Sequence, residues 1–403
     1  MFDDQTLEKY ADILTWGMEL ARSKKKGAFA RGDIVRLFFT RLSYPLAEVV
    51  YRKCIQKGYH VVTQLMLTPN MEKDFFNYAS DAQLDFIQPW AIMKTNNLNG
   101  NIVIYGSEQL TNLKDVDPKR IARNQKPLMQ IKDILDKREM AGKYNWCLGL
   151  WPTQDMADQA GISLDKMFEQ VKKACFLDLD DPVSKWSELY NNGQKITKML
   201  KSLEIDNLRI LSDNCDLTIK LGKFRKFLSI SGHNIPSFEI FTSPDKYGTE
   251  GYYYADQPTF RNGNYVEGAY LKFSKGKIIE AKAAKGEKFL KSQLQIDEGA
   301  TYLGEFSLTD KRHSRIDTFM ANTLYDENTG GNGYGNCHIA IGSSYPNTFD
   351  GKEKWEEAIK LYNFNKSALH WDLVNIEPKI ITAKLKGGRE IVVYNNGMFT
   401  IDD

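Results

Sequence analysis

The chain is short of cysteine and histidine: its 403 residues hold five of each. Cys54, Cys147, Cys175, Cys215 and Cys337 are scattered, odd in number and form no CxxC pair. That spacing excludes a disulfide framework and a cysteine-type zinc site, and it points to reduced thiols in a cytoplasmic protein. Charge of either sign is not in excess. The 54 Lys+Arg against 52 Asp+Glu leave a net +2, which argues against a nucleic-acid partner. No apolar run reaches the ~18 residues of a membrane span, so no membrane partner is expected. The opening residues Met1-Phe2-Asp3-Asp4-Gln5 are acidic and polar, unlike a secretory leader. The basic run Arg22-Ser23-Lys24-Lys25-Lys26 follows an amphipathic stretch and reads as the solvated end of a helix. Several signatures are missing as well. There is no GxGxxG dinucleotide fingerprint, no phosphate-cradling GxxxxGK[ST], no HExxH and no GxSxG.

What is present divides into two patterns. A prior of roughly 150 residues per domain allows two or three domains. The first half alternates helical and strand-like segments. Helices are predicted over residues 7–21, 45–56, 70–78, 117–139, 164–175 and 184–203, and strands over 33–39, 60–67, 101–105 and 146–151. Strands separated by helices imply βαβ units and a mainly parallel sheet with flanking helices. Near Ile205 the rhythm changes. Strands at 208–211, 215–221, 265–273 and 277–282 follow one another, with Asn262-Gly263-Asn264 and Ser274-Lys275-Gly276 as turns. Residues 285–295 and 355–361 read as helical, and 380–399 as two strands around Lys386-Gly387-Gly388. The expected organisation is an N-terminal α/β domain over 1–204 and a strand-rich α+β domain over 205–403.

The second half carries polar residues set in apolar or glycine-rich sequence. These are Glu239, Glu305, His338, Tyr345, and the pair His370 and Asp372 flanking Trp371. Each alone has an ordinary reading: an exposed acid on an alternating strand, a satisfied histidine, a core tyrosine. In a strand, His370 and Asp372 share one face, so both reach one point. Together the six make three carboxylates, two imidazoles and a phenol. Such donors suit zinc, cobalt, manganese or magnesium. Converging acids repel unless cations neutralise them, and two divalent ions bridged by a carboxylate are a recurrent hydrolytic solution. A nearby dication also favours the phenolate form of a tyrosine.

At these residues the chain resembles the thermophilic aminopeptidase family of metallopeptidases. Five ordered blocks carry the resemblance: Asn-Ile-Pro-x-x-Glu-Ile-Phe-Thr-Ser-Pro from Asn234, Leu-Gly-Glu-Phe-Ser-Leu from Leu303, Asn-Thr-Leu-Tyr-Asp-Glu-Asn from Asn322, His-Ile-Ala-Ile-Gly-Ser-Ser-Tyr from His338, and His-Trp-Asp-Leu-Val from His370. The resemblance implies that Glu239, Glu305, His338, Tyr345, His370 and Asp372 are the metal ligands of two divalent ions. It also implies a homodimer that removes N-terminal amino acids from peptides with a free N-terminus, using a metal-activated water. Glu305 is expected to be essential to catalysis. The general base is left between Asp326 and Glu327, which lie in a matching block and are not ligands; the alternative for either is a loop or helix-capping acid. The glycine-rich link Thr329-Gly330-Gly331-Asn332-Gly333-Tyr334-Gly335-Asn336 is longer than in many relatives and stands as a candidate gate. Cys337 beside His338 reads as a small buried residue pointing to the other face. The competing functions are a non-peptidase that binds a metal or small ligand and a metal-dependent hydrolase of another amide.

Overall fold

The computed structural model describes residues 1–20, 22 and 27–400. Residue 21, the last of the first predicted helix, and residues 23–26 of the basic run lie outside them. The chain forms two compact units. One comprises Met1–Tyr190 and Ile230–Ser237, the other Asn191–Ser229 and Phe238–Asp403. The change of strand rhythm puts the division at 204/205. The contacts put it inside the helix Pro182–Ser202 and return a short segment to the first unit, because Asn234–Ile235 pairs with that unit's sheet.

Strands are numbered along the chain. The first unit holds a five-stranded sheet of β1 (Ile34–Phe39), β2 (His60–Leu65), β3 (Gly100–Tyr105), β4 (Asn145–Leu150) and β7 (Asn234–Ile235). Its order is β2-β1-β3-β4-β7 and every pair is parallel. Each of the links β1–β2, β2–β3 and β3–β4 contains a helix, as parallel neighbours require. Local chemistry starts these helices. Thr68 and Asp117 accept the N–H groups of Met71 and Lys119, each with proline in the first turn. The helix Asp4–Leu20 buries Tyr10, Ile13, Leu14 and Met18 completely. The Tyr10 hydroxyl donates to the Leu150 carbonyl and accepts the Leu150 N–H, both at 2.9 Å. Gly17 permits the helix's closest approach, since a Cβ there would stand 2.7 Å from the Gly232 carbonyl oxygen. The helices Pro89–Asn97 and Gln154–Ala160 were not anticipated. Pro89 occupies the first helical turn, where proline is tolerated, and does not act as a breaker.

The second unit is antiparallel. Its larger sheet runs β13-β12-β9-β6-β5-β17-β18-β19. The strands are β5 (Ile205–Leu211), β6 (Asp216–Lys220), β9 (Thr249–Ala255), β12 (Ala269–Ser274), β13 (Lys277–Lys282), β17 (Ile380–Leu385), β18 (Glu390–Asn395) and β19 (Met398–Phe399). A small hairpin joins β10 (Thr259–Arg261) to β11 (Asn264–Val266). The strand expected over 265–273 is therefore two, broken at Glu267-Gly268, where Gly268 takes a left-handed φ of 63°. The second sheet has four strands in the order β16-β15-β14-β8: β8 (Glu239–Thr242), β14 (Leu303–Thr309), β15 (Asn336–Gly342) and β16 (His370–Asn375). Among the described residues, no helix is long and apolar enough to cross a membrane.

Candidate metal centre

The four-stranded sheet sets the site by register. Side chains alternate across a strand, so residues two apart share a face. Glu305 lies opposite Ala340, which lies opposite Asp372; Ser307 lies opposite His338; Thr309 lies opposite Glu239; Gly342 lies opposite His370. All these residues therefore project from one face. The residues between them, Phe306, Leu308, Ile339, Ile341, Trp371 and Leu373, take the other face and are buried. Cys337 belongs to that second face, in register with Leu308, and burial pushes its thiol up to about 12. It is absent from the metal-ligating groups found among the described residues.

On the polar face the donors converge. His338 Nε2 lies 3.4 Å from Glu239 Oε2 and 3.5 Å from Glu305 Oε1. His370 Nε2 lies 3.4 Å from Glu305 Oε2 and 3.5 Å from Asp372 Oδ1. Glu305 thus turns one oxygen to each imidazole. Three groups offer donor atoms within 4.8 Å of one another: Glu239, Glu305 and His338; Glu305, His370 and Asp372; Glu327, His338 and Asp372. Ala340 stands at the middle of the rung between Glu305 and Asp372, and its single methyl leaves the carboxylates room to meet. The Tyr345 ring is 4.7 Å from that of His370, centre to centre, in an edge-on arrangement. The six residues singled out by sequence are gathered around one point.

The electrostatics follow from this crowding. Glu239, Glu305 and Glu327 are 8%, 3% and 6% exposed, so their charges are poorly screened by water. Burial, and then the charges of Asp372, Glu239 and Glu305, hold the Glu327 carboxyl well above the usual range. Burial pulls His370 down, but Asp372 and Glu305 outweigh it and push the ring up to about 10. Burial opposes the charge of Asp372, yet His370, His338 and Arg261 hold it at about 2. His338 is likewise raised against burial by Glu305, Glu239 and Asp372. Tyr345 is raised well above 10 by burial and by the same acids. Among the chain's own groups, protonated imidazoles and Arg261 are what balance the carboxylates. Divalent cations fit the same donors better, because hard oxygens and imidazole are their ordinary ligands. His370 is oriented for this: its Nδ1 meets the Ser343 carbonyl at 2.8 Å, which leaves Nε2 facing the acids.

The structure separates Asp326 from Glu327. Both oxygens of Asp326 accept backbone N–H groups, from Met320 and from Asn322, each at 2.8 Å. Glu327, the next residue, reaches the acidic cluster. The segment that carries it is held by non-local bonds. Asn328 Oδ1 accepts the Phe238 N–H, Asn336 Nδ2 donates to the Asp326 carbonyl, and Thr309 Oγ1 donates to that of Glu327. The glycine-rich link is anchored at both ends. Thr329 Oγ1 donates to the Ile316 carbonyl, and the Asn336 N–H donates to the Tyr394 hydroxyl. Gly335 is required at its close, since its φ is 71° and a Cβ would stand 1.9 Å from the Tyr394 hydroxyl. Sequence reading overlooked Ala340, Ser343 and Arg261. Only Ala340 left a trace, as a small residue on an otherwise bulky strand.

Comparisons with known proteins give the family and the fold. The family model described as "Thermophilic metalloprotease (M29)" matches residues 3–399. "Aminopeptidase AmpS" of Bacillus subtilis is 30% identical over 308 residues, 71% of this chain and 73% of that protein. "Aminopeptidase 2" of Geobacillus stearothermophilus is 28% identical over 319 residues, 72% of this chain and 73% of that protein. The solved structure of wild-type AmpT from Thermus thermophilus shares the fold, with a TM-score of 0.78, 20% identity, and coverage of 98% of this chain and 99% of that one.

Proposed function

The chain belongs to the thermophilic metalloprotease family M29, and from that premise we propose that it is a metal-dependent aminopeptidase releasing N-terminal amino acids from peptides. The observation that carries this reading is Glu305, one oxygen turned to His338 and the other to His370. A carboxylate so placed is suited to bridge two divalent ions. Glu239 and His338 would complete one ion's shell, and His370 and Asp372 the other's, with Tyr345 beside them. When bound, such ions polarise the scissile carbonyl and lower the pKa of a water at neutral pH.

The chain's own residues supply the rest. Glu327 is the proposed proton carrier. Its carboxylate, which reaches the donor cluster beside His338 and Asp372, takes the proton released as the water oxygen bonds to the carbonyl carbon. It returns that proton to the peptide nitrogen as the C–N bond breaks. Asp326 is assigned a structural part, since both its oxygens are occupied by backbone N–H groups. One ion, or a carboxylate not paired with an ion, would hold the substrate's free α-amine, and that requirement would make the enzyme an exopeptidase. The remainder of the reading is a homodimer in a reducing cytoplasmic setting. The five thiols, buried and unbridged, support the setting. The exposed Tyr78, Phe86, Trp90 and Met93 suit a subunit interface.

The test is hydrolysis of a dipeptide with a free amine and of its N-acetyl counterpart, with and without chelator. Cleavage of the free-amine form alone, lost on chelation and restored by metal, is expected. Equal cleavage of the blocked form, or activity indifferent to chelator, would overturn the reading.

A further inference from the structure

The two histidines of the site are held differently. His370 Nδ1 is fixed by a backbone carbonyl, that of Ser343. His338 is 1% exposed, and its Nδ1 is buried with no hydrogen-bond partner. Directly opposite it in the β14–β15 register stands Ser307, fully buried, whose Oγ also has no partner. Two orphaned polar atoms on facing positions call for one explanation, because an unmade buried hydrogen bond costs about 1–3 kcal/mol. Directly opposed residues have Cβ atoms about 4.5–5.5 Å apart, which is reach for a hydroxyl and a ring nitrogen. Among the described residues, another orphaned acceptor on this face is Asn336 Oδ1, but Asn336 stands two residues along the same strand, a backbone rise of about 6.5 Å, and not opposite His338.

We propose that Ser307 is a positioning residue for His338. With the ion bound, its hydroxyl would turn to accept a hydrogen bond from Nδ1–H, a bond the structure does not itself make, fixing the tautomer in which Nε2 is free to ligate the ion shared with Glu239 and Glu305. This rests on the metal-site reading above and extends it. A ligating imidazole almost always gives its second N–H to an acceptor. Here the acceptor is a side chain and not a carbonyl, so the two ions differ in how mutable their support is. The ion on the His338 side depends on residue 307, while the ion on the His370 side depends on the main chain.

The experiment is competition of Zn2+ between the full-length protein and a chromophoric chelator, for wild type, Ser307→Ala and Ser307→Thr, with thermal melts of the chelated proteins alongside. Wild type is expected to hold two ions. Ser307→Ala should weaken one of them by about 10–100-fold and leave the other within a few-fold. Ser307→Thr, which keeps the hydroxyl, should recover most of the loss. Equal affinities in wild type and Ser307→Ala would overturn the proposal while leaving the metal site standing, as would a Thr variant as weak as the Ala variant at equal melting temperature. A wild-type protein that takes up no zinc would overturn the metal reading itself, and this inference with it.

Discussion

On one face of the sheet β16-β15-β14-β8, Glu239, Glu305, His338, His370 and Asp372 crowd charge into a poorly hydrated space. On the other, Ile240, Phe306, Leu308, Ile339, Ile341, Trp371 and Leu373 pack as a core. The same strands build both, residue by residue in alternation. The apolar face supplies stability of about 1.5–3 kcal/mol per large side chain buried. The polar face opposes folding, since carboxylates packed together without cations repel. The arrangement holds because a one-residue slip would exchange the faces, and the apolar set resists that slip strongly. Function on one side is thus tied to packing on the other.

The sharpest way to break the comparison is at the residue that belongs to both proposed shells. Glu305→Gln should lower kcat/KM for a free-amine dipeptide by more than about 100-fold and abolish tight metal uptake. Next comes the neighbouring acid pair. Glu327→Gln should keep both ions and lose roughly 10²–10⁴-fold in kcat. Asp326→Asn should cost about 1–3 kcal/mol of stability, because an amide cannot accept both backbone N–H groups, and should lower activity only as the fold weakens. Equal kinetic losses in the two variants would remove the distinction.

Opposite faces should fail in opposite ways. Phe306→Ala should lower stability by about 3–5 kcal/mol while the folded fraction retains its ions. Ala340→Leu should fill the gap between Glu305 and Asp372, suppressing metal uptake at a smaller cost in stability. Urea denaturation paired with metal analysis reads both. The remaining effect is in pH. His370 is raised to about 10 by Asp372 and Glu305 against burial. A cation must displace that proton, so binding releases protons and apparent metal affinity falls as pH falls. In the chelator-treated protein the sign is plain for a raised histidine. Its contribution to stability is complete below about pH 6.5, the unfolded value. It is lost as the pH rises toward about 10. Melting temperatures across that window check it.

Much of this was legible in the sequence, for a physical reason. Period assigns a face but not a role: Glu305 within Leu-Gly-Glu-Phe-Ser-Leu and His338 within Cys-His-Ile-Ala-Ile-Gly each read as ordinary polar residues on a strand, and the resemblance implied that they are ligands. His370 and Asp372 follow the same rule. The parallel first sheet was legible because helices intervene between its strands. What period does not encode is contact between distant segments. The choice between Asp326 and Glu327 depends on which way the Asn322–Asn328 turn faces. That is set by bonds to Phe238, Thr309 and Asn336 from three other stretches of chain. The division of the units escaped for a similar reason: Asn234–Ile235, two residues long, joins a sheet formed some eighty residues earlier. Strand β9 carries three consecutive tyrosines and a glycine, which hide its alternation.

The central claim is that Glu305 lies between two cations. Anomalous scattering from crystals grown with Zn2+ measures this directly. The account predicts two peaks about 3.5–4 Å apart, one beside Glu239 and His338 and the other beside His370 and Asp372, with Glu305 contacting both. A single peak, or peaks outside this cluster, would contradict it.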